Sequence, residues 1–461
     1  MRPRALSEVA TEVRGRVVPE DRGGIVVERV TTDSRDELAG ALFVALPGER
    51  HDGHDFVDAA FAAGALGAVV GRDGEWAGPV VRVGDPLEAL LALGGAERDA
   101  FAGPVVGITG SSGKTCTKDF TAAVLASRYR VHASPRSFNT EVGVPLTILD
   151  ASGDAEALIL EMGSRGIGHI ATLCRSARPT VGVVTNVGPA HVAMFGSREA
   201  IARAKGELVE ALPADGVAVL NADDDAVAGF SERTRARVLT YGMRAQADVA
   251  ATGVSLDADA RAAFTLAFGG EEARVELGVP GEHMVSNALA AAGAGLALGV
   301  SAAECAVALK DARVSGWRME VHRRADGVRV VNDAYNANPA SVTAALKAAR
   351  WMARGTRCIA VLGEMAELGE ATAQEHDHIG EQVARMGIEE LVTVGEAARG
   401  IARAAVREGM ESGHVREAAD ADDALAAARS LLRPGDVVLV KASRVAGLER
   451  LAAALLQEDA A

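Results

Sequence analysis

The segment Gly107-Ile-Thr-Gly-Ser-Ser-Gly-Lys-Thr115 carries the densest chemistry in the chain. An apolar run, Pro104 to Ile108, leads into it and reads as a buried strand. A helix-compatible stretch, Thr115 to Ser127, follows. A glycine-rich turn between strand and helix aims the backbone N–H groups of Gly110, Ser111, Ser112 and Gly113 at one point, and the helix N-terminus adds partial positive charge there. Lys114 is placed to reach terminal phosphates, and the Thr115 hydroxyl to bind magnesium. The spacing implies a cradle for a nucleoside triphosphate. The strict template puts its first glycine where Ile108 stands, and Gly107 and Gly110 flank that position instead. The plainer reading is an ordinary strand-to-helix turn with an exposed lysine.

Further polar residues fall where apolar runs end. Glu161 ends Ala-Leu-Ile-Leu-Glu, Thr185 and Asn186 end Val-Gly-Val-Val-Thr-Asn, His191 lies five residues on, and Asn221 and Asp223 close a fourth run. In an open parallel sheet, ligands collect beyond the carboxyl ends of the strands. Magnesium prefers oxygen, so Thr115 and Glu161 are natural ligands and His191 a softer one. Lys205 lies on an amphipathic helix, where spacing alone reads as a solvated lysine. The cluster Asn332-Asp-Ala-Tyr-Asn-Ala-Asn-Pro339 holds more amides than helix capping needs. His51 and His54 sit in a polar stretch that reads as a surface loop.

These residues need elements to hold them. With 461 residues, about three domains are expected. Short apolar runs (Gly24–Val30, Ala41–Leu46, Leu66–Val70) suggest a small α/β unit. From Pro104, strands (Val105–Thr109, Ala157–Met162, Val181–Asn186, Val217–Asn221) alternate with helices such as Ser197–Leu212, which predicts a parallel sheet covered on both faces. Asp248–Leu277 reads as an antiparallel excursion, followed by a helix over Val285–Leu298. Strands at Val328–Asn332, Cys358–Leu362, Leu391–Val394 and Val437–Val440 form a third unit, and a closing helix with a frayed acidic end begins near Glu449. The fold class is therefore α/β in three domains: a small N-terminal α/β domain (1–102), a central P-loop-type parallel-sheet ATPase domain (103–314) and a C-terminal Rossmann-like domain (315–461).

Hydrophobic residues make up 49% of the chain and aromatics only 3%, so Ala, Val and Leu must fill the cores. The formal net charge of −15 argues against a nucleic-acid binder. Met1–Ala10 has no apolar stretch after its arginines, and no run reaches the roughly 18 apolar residues of a membrane helix, so a cytoplasmic protein without membrane insertion is expected. The four cysteines form no CxxC pair and fit a reducing compartment. Each reads first as a small core filler, and Cys116, inside the first turn of the P-loop helix, as the one a helix terminus could make more reactive.

The motifs resemble those of the Mur ligases, ATP-dependent amide-forming enzymes of peptidoglycan assembly. The likeness covers essentially the whole chain: the P-loop, Glu161, Thr185-Asn186 with His191, and Asn287 with Arg318 fall in the family's order. Phe138-Asn-Thr-Glu-Val-Gly-Val-Pro145, Asp333-Ala-Tyr-Asn-Ala-Asn-Pro339, Leu362-Gly-Glu-Met-Ala-Glu-Leu-Gly369 and Gly435-Asp-Val-Val-Leu-Val-Lys-Ala-Ser-Arg444 resemble the branch that adds D-alanyl-D-alanine to UDP-N-acetylmuramoyl-tripeptide. Met284 stands where the family often has Asn. The resemblance implies an acyl-phosphate mechanism serving cell-wall biogenesis, cell shape and cell division. It implies ATP whose phosphates Lys114 meets, one Mg2+ held by Thr115 and a second held by Glu161 and His191. It also implies a carbamylated Lys205 as a metal ligand, and ATP contacts from Asn287, Arg318 and Asp333. The first domain, with Ser34 and Arg35, would bind the UDP end; Asn139, Thr140 and Ser164 the sugar-phosphate and peptide; Tyr335, Asn336 and Asn338 the dipeptide. A hinge near residues 313–317 and a monomer are expected. Two alternatives stay open: a ligase of the same architecture adding another amine, and a nucleotide-binding regulator without turnover.

Overall fold

The computed structural model describes residues 1–48, 50–135, 137–151, 153–188 and 192–457. Three main sheets follow one another along the chain. The first has five strands in the order Arg16–Val18, Val80–Arg82, Gly67–Val70, Ala41–Val44, Arg29–Thr31, parallel except for the first. Its last helix, Pro86–Ala100, begins with Asp85, whose carboxylate accepts from the N–H groups of Leu87 and Glu88, and with proline at the first helical position. This helix docks on the central unit: Arg98 Nε donates to Ala177 O (3.0 Å) and Ser176 Oγ to Leu91 O (3.0 Å).

The second sheet has nine strands in the order Glu271–Pro280, Arg261–Phe268, Val249–Leu256, Arg237–Gly242, Val217–Asn221, Val181–Val184, Val105–Thr109, Ala157–Glu161, Val131–Ala133. The strand before the glycine-rich turn is interior and wholly buried, as its unbroken apolar run demands. Glu161 pairs beside Ile108, and Val184 beside Thr109. The segment read as an antiparallel excursion extends this same sheet as its outer strands. The Ala-rich helix His283–Ala297 packs on the P-loop helix Lys114–Leu125, and at Gly295 a Cβ would press into Val124. Small residues let two helices lie this close, which is how a chain with few aromatics closes its core.

The third sheet runs Glu320–Arg323, Arg329–Asn332, Val437–Lys441, Cys358–Leu362, Glu390–Val394, Val415–Ala418, parallel except for the first strand. Its edge strands Glu320–Arg323 and Val415–Ala418 are charged and short, so they leave no apolar signature in the sequence. The chain leaves Asn332 through the helix Pro339–Met352 and skips over Val437–Lys441 to reach Cys358. The late strand arrives from the other side. This reversal opens a crevice at the ends of three strands, at Asn332, Lys441 and Leu362. One apolar cluster is continuous from Phe120 and Val124 to Val331 and Leu346, so the second and third units share a core. Glu449–Leu456 forms the closing helix; the acidic end beyond it lies outside the described residues.

Candidate functional site

The glycine-rich turn is held open by its neighbours. Gly110 and Gly113 have φ of 150° and 79°, and a Cβ at either would overlap Thr185 Oγ1 or Asn287 Oδ1 respectively. Asn186 Oδ1 accepts from Ser112 N (2.9 Å), Asn186 O accepts from Ser111 N (3.0 Å), and Thr185 Oγ1 donates to Ser112 O (2.6 Å). Behind them, Asn221 Nδ2 and the Tyr241 hydroxyl both donate to Thr185 O, at 2.8 Å and 3.2 Å. Gly110→Ala is therefore expected to push Thr185 off Ser112, destabilising the fold by about 1–3 kcal/mol and weakening nucleotide affinity. Thermal unfolding and nucleotide titration of the variant check both.

Lys114 Nζ folds back onto Gly110 O at 2.9 Å. Burial pushes its amine below the ordinary lysine value, while the Glu161 carboxylate pulls the other way. Thr115 Oγ1 donates to Glu161 Oε2 (2.8 Å) and accepts from Arg318 Nη2 (2.8 Å); Asn139 Nδ2 takes the other carboxylate oxygen (2.8 Å). The Arg318 guanidinium also stacks on the Tyr335 ring at 4.1 Å. Its neighbours Trp317 and Met319 have φ of 60° and 50°, a left-handed backbone uncommon for such residues.

Asp333 is clamped at both oxygens. Oδ1 accepts from Met319 N (3.0 Å) and Oδ2 from Lys441 Nζ (2.6 Å), which also donates to Asn336 O (2.8 Å). Asn338 caps its helix through Oδ1 while its Nδ2 donates to Ser112 Oγ (2.8 Å). Ser315, in the linker where a hinge is expected, donates through N and Oγ to Asp119 Oδ2 (2.7 Å and 2.8 Å). The linker and loops of the third unit thus touch the P-loop and its helix at Ser112, Thr115 and Asp119. Such a site gathers cations and N–H donors against a carboxylate and a hydroxyl, as charge management around a polyphosphate requires.

Family models match in succession: "Mur ligase family, catalytic domain" over 26–89, "Mur ligase middle domain" over 108–295 and "Mur ligase, glutamate ligase domain" over 317–444. A UDP-N-acetylmuramoyl-tripeptide–D-alanyl-D-alanine ligase of Mycobacterium tuberculosis is 44% identical over 98% of both chains. The chain belongs to the Mur ligase family. Among solved structures, MurF from Acinetobacter baumannii superposes with a TM-score of 0.90 at 30% identity, covering 98% of this chain and 99% of that one. The MurF ligase of Thermotoga maritima in complex with ADP gives 0.82 at 29% identity, covering 92% and 96%.

In this Mur ligase, several residues stand differently from the reading of their sequence. Lys205 is not a solvated lysine: it is 3% exposed and makes no hydrogen bond or ion pair among the described residues. Burial drives its pKa well below the ordinary value, with Lys114 adding to the effect. Cys116 is not activated by its helix terminus, because burial dominates and pushes its thiol up to about 12. His54 is no surface residue. It is buried, donates from Nδ1 to Asp52 (2.6 Å) and accepts from Gly71 N (2.8 Å).

His191 lies outside the described residues. Ser34 and Arg35 remain on a loop of the first sheet, where Arg35 is exposed and bonded to Asp33 (2.8 Å). Thr140 Oγ1 accepts from Gly143 N (3.3 Å), and Ser164 Oγ is buried with no hydrogen-bond partner among the described residues. Asn287 Nδ2 donates to the sulfur of Met284 (3.5 Å). Sequence reasoning missed Lys441, although Val-Val-Leu-Val-Lys ends an apolar run just as Glu161 does.

Proposed function

We propose that this chain joins D-alanyl-D-alanine to the terminal carboxylate of UDP-N-acetylmuramoyl-tripeptide with cleavage of ATP to ADP and phosphate, giving the pentapeptide precursor of peptidoglycan. The observation that carries the reading is the convergence of Arg318, Asn338 and Lys114 on one glycine-rich turn beside Glu161. Full-length likeness to UDP-N-acetylmuramoyl-tripeptide–D-alanyl-D-alanine ligases supports the choice of amine. Units 1–102, 103–314 and 315–461 serve as UDP-binding, ATP-binding and amine-binding domains. Because one chain supplies the whole set, the enzyme works as a monomer. No helix among the described residues is long and apolar enough to cross a membrane, in keeping with a cytoplasmic place of work.

A carboxylate acylates poorly. Its oxygen attacks the γ-phosphorus, ADP leaves, and the acyl phosphate forms; the dipeptide nitrogen then attacks the acyl carbon as the C–O bond to phosphate breaks. Both steps crowd negative charge, so the N–H groups of Gly110–Gly113, Lys114 and Arg318 must stand in place beforehand. Asn287 and Asp333 hold the adenosine side. Asn139, Thr140 and Ser164, with Ser34 and Arg35, orient the muramyl substrate.

Magnesium fits the donor set: a hydroxyl and a carboxylate meet at 2.8 Å with a guanidinium already drawn to them. Thr115 and Glu161, with His191, would hold it. Bound there, it would neutralise phosphate charge. Among the described residues, no three His, Cys, Asp or Glu side chains gather as a metal set, so a carbamate on Lys205 would supply the missing anionic oxygen.

A coupled assay with UDP-muramyl-tripeptide, ATP and D-Ala-D-Ala should release phosphate and yield the pentapeptide mass. Label in the acid's oxygens should appear in the phosphate. Turnover with single amino acids but not with the dipeptide would reject the reading.

A further inference from the structure

The loop Gly363–Leu368 leaves the strand Cys358–Leu362 at the crevice of the third sheet, and its main chain is pinned repeatedly. Gly363 N donates to Lys441 O (2.9 Å), Met365 N to His376 Nε2 (3.0 Å) and Ala366 N to Ser443 Oγ (2.9 Å), while Glu364 O accepts from Ser443 N (2.9 Å). His376 is fully buried and donates its other ring nitrogen to Thr372 O (2.7 Å), so its whole polar capacity goes to this arrangement. Ser443 Oγ also reaches Ala337 O (3.3 Å), next to Asn338, which bonds the P-loop. So many bonds on a short loop fix where one side chain starts: Glu364.

That carboxylate is partly buried and makes no hydrogen bond or ion pair among the described residues. The polar side chains of the segment 333–338 at the same crevice are committed elsewhere: Asp333 to Lys441 and Met319, Asn338 to Ser112, and Asn336 Oδ1 to Ala337 N. A partly desolvated, unpaired carboxylate favours a cation. Magnesium requires several oxygen ligands, and among the described residues no three His, Cys, Asp or Glu side chains gather as a metal set at Glu364. The other cation the reaction brings is the ammonium of the incoming dipeptide.

We propose, resting on the function above, that Glu364 binds the dipeptide ammonium and takes the proton its nitrogen sheds. The ammonium first gives one proton to the Glu364 carboxylate; the lone pair so freed forms the C–N bond to the acyl carbon, the acyl C–O bond breaks, and phosphate leaves with that electron pair and carries off the nitrogen's second proton. Asn336, Asn338 and Tyr335, expected to touch the dipeptide, then serve chiefly by shaping the crevice.

The test compares two nucleophiles on the full-length enzyme. Hydroxylamine is uncharged at neutral pH and captures an acyl phosphate without an ammonium site. Glu364→Gln should raise KM for D-Ala-D-Ala at least about tenfold, the weight of one charge-assisted hydrogen bond. KM for ATP and muramyl tripeptide, and tripeptide-dependent hydroxamate formation, should stay near wild type. Glu364→Asp should recover part of the dipeptide affinity. An unchanged dipeptide KM in Glu364→Gln would overturn the proposal, as would equal loss of hydroxamate and pentapeptide in both variants. Wild-type enzyme that forms hydroxamate but no pentapeptide would instead overturn the choice of dipeptide as substrate, and this proposal with it.

Discussion

Lys114→Ala is expected to lower kcat/KM by about 10³-fold or more, the usual cost of losing a preplaced charge from a phosphoryl-transfer site. The fold should survive. The lost bond from Nζ to Gly110 O has a net worth of about 1 kcal/mol, and removing a buried amine relieves a desolvation cost that opposes it. Melting curves of the variant should therefore overlie those of the parent while turnover disappears. The same burial gives a pH signature. Because the Lys114 pKa lies below 10.5, the amine loses its charge earlier than an ordinary lysine as pH rises. The alkaline limb of the parent's rate profile should begin on the acid side of that value. Substantial activity in Lys114→Ala would mean that phosphate charge is carried by Arg318 and the loop N–H groups alone.

Much of this site was readable because one rule covers it: polar residues that end buried apolar runs meet at the carboxyl edge of a parallel sheet. Glu161, Thr185, Asn186 and Asn221 obey it: strand order sets the first three beside the glycine-rich segment, where they bond Thr115 and Ser112, and Asn221 behind them on Thr185 O. Lys441 obeys it as well. It was overlooked because a lysine suggests solvent, whereas this one is 2% exposed and bonded to Asp333.

What the rule does not reach is contact between sheets. Arg318 on Thr115, Asn338 on Ser112 and Ser315 on Asp119 join residues about two hundred positions apart, and no periodicity encodes that docking. Short elements escape for a different reason. Val131–Ala133 has three residues, one of them His132, and Glu320–Arg323 alternates charges with Val321, so neither reads as a strand until a neighbour supplies its hydrogen bonds. Cys116 and His54 were misread because sequence gives helix position and polarity but not depth, and desolvation outweighs a helix terminus once a group is fully buried.

Depth also decides Lys205, where stability and activity are expected to move in opposite directions. Lys205→Met keeps the length of the side chain and removes an amine that is buried beside another amine. Folding should gain about 1–3 kcal/mol at neutral pH, measured without bicarbonate. Between its depressed folded value and the 10.5 of the unfolded chain, Lys205 is protonated only in the unfolded state. The unfolded state therefore binds more protons, and the parent's stability rises with pH across that window. The penalty is complete below the folded pKa and vanishes above 10.5, so the advantage of Lys205→Met should be constant at low pH and shrink as pH climbs. Activity should fall by about 10²-fold or more, as when a metal-orienting group is removed. A small carboxylate such as acetate should restore part of it in Lys205→Ala, where the shortened side chain leaves room for the missing anion. A neutral buried amine is the form that adds carbon dioxide, so the feature that weakens the fold is the one that the proposed carbamate requires. Full activity in Lys205→Met, or rescue by neutral amides as well as by carboxylates, would remove the carbamate and leave the lysine as a cost without a function.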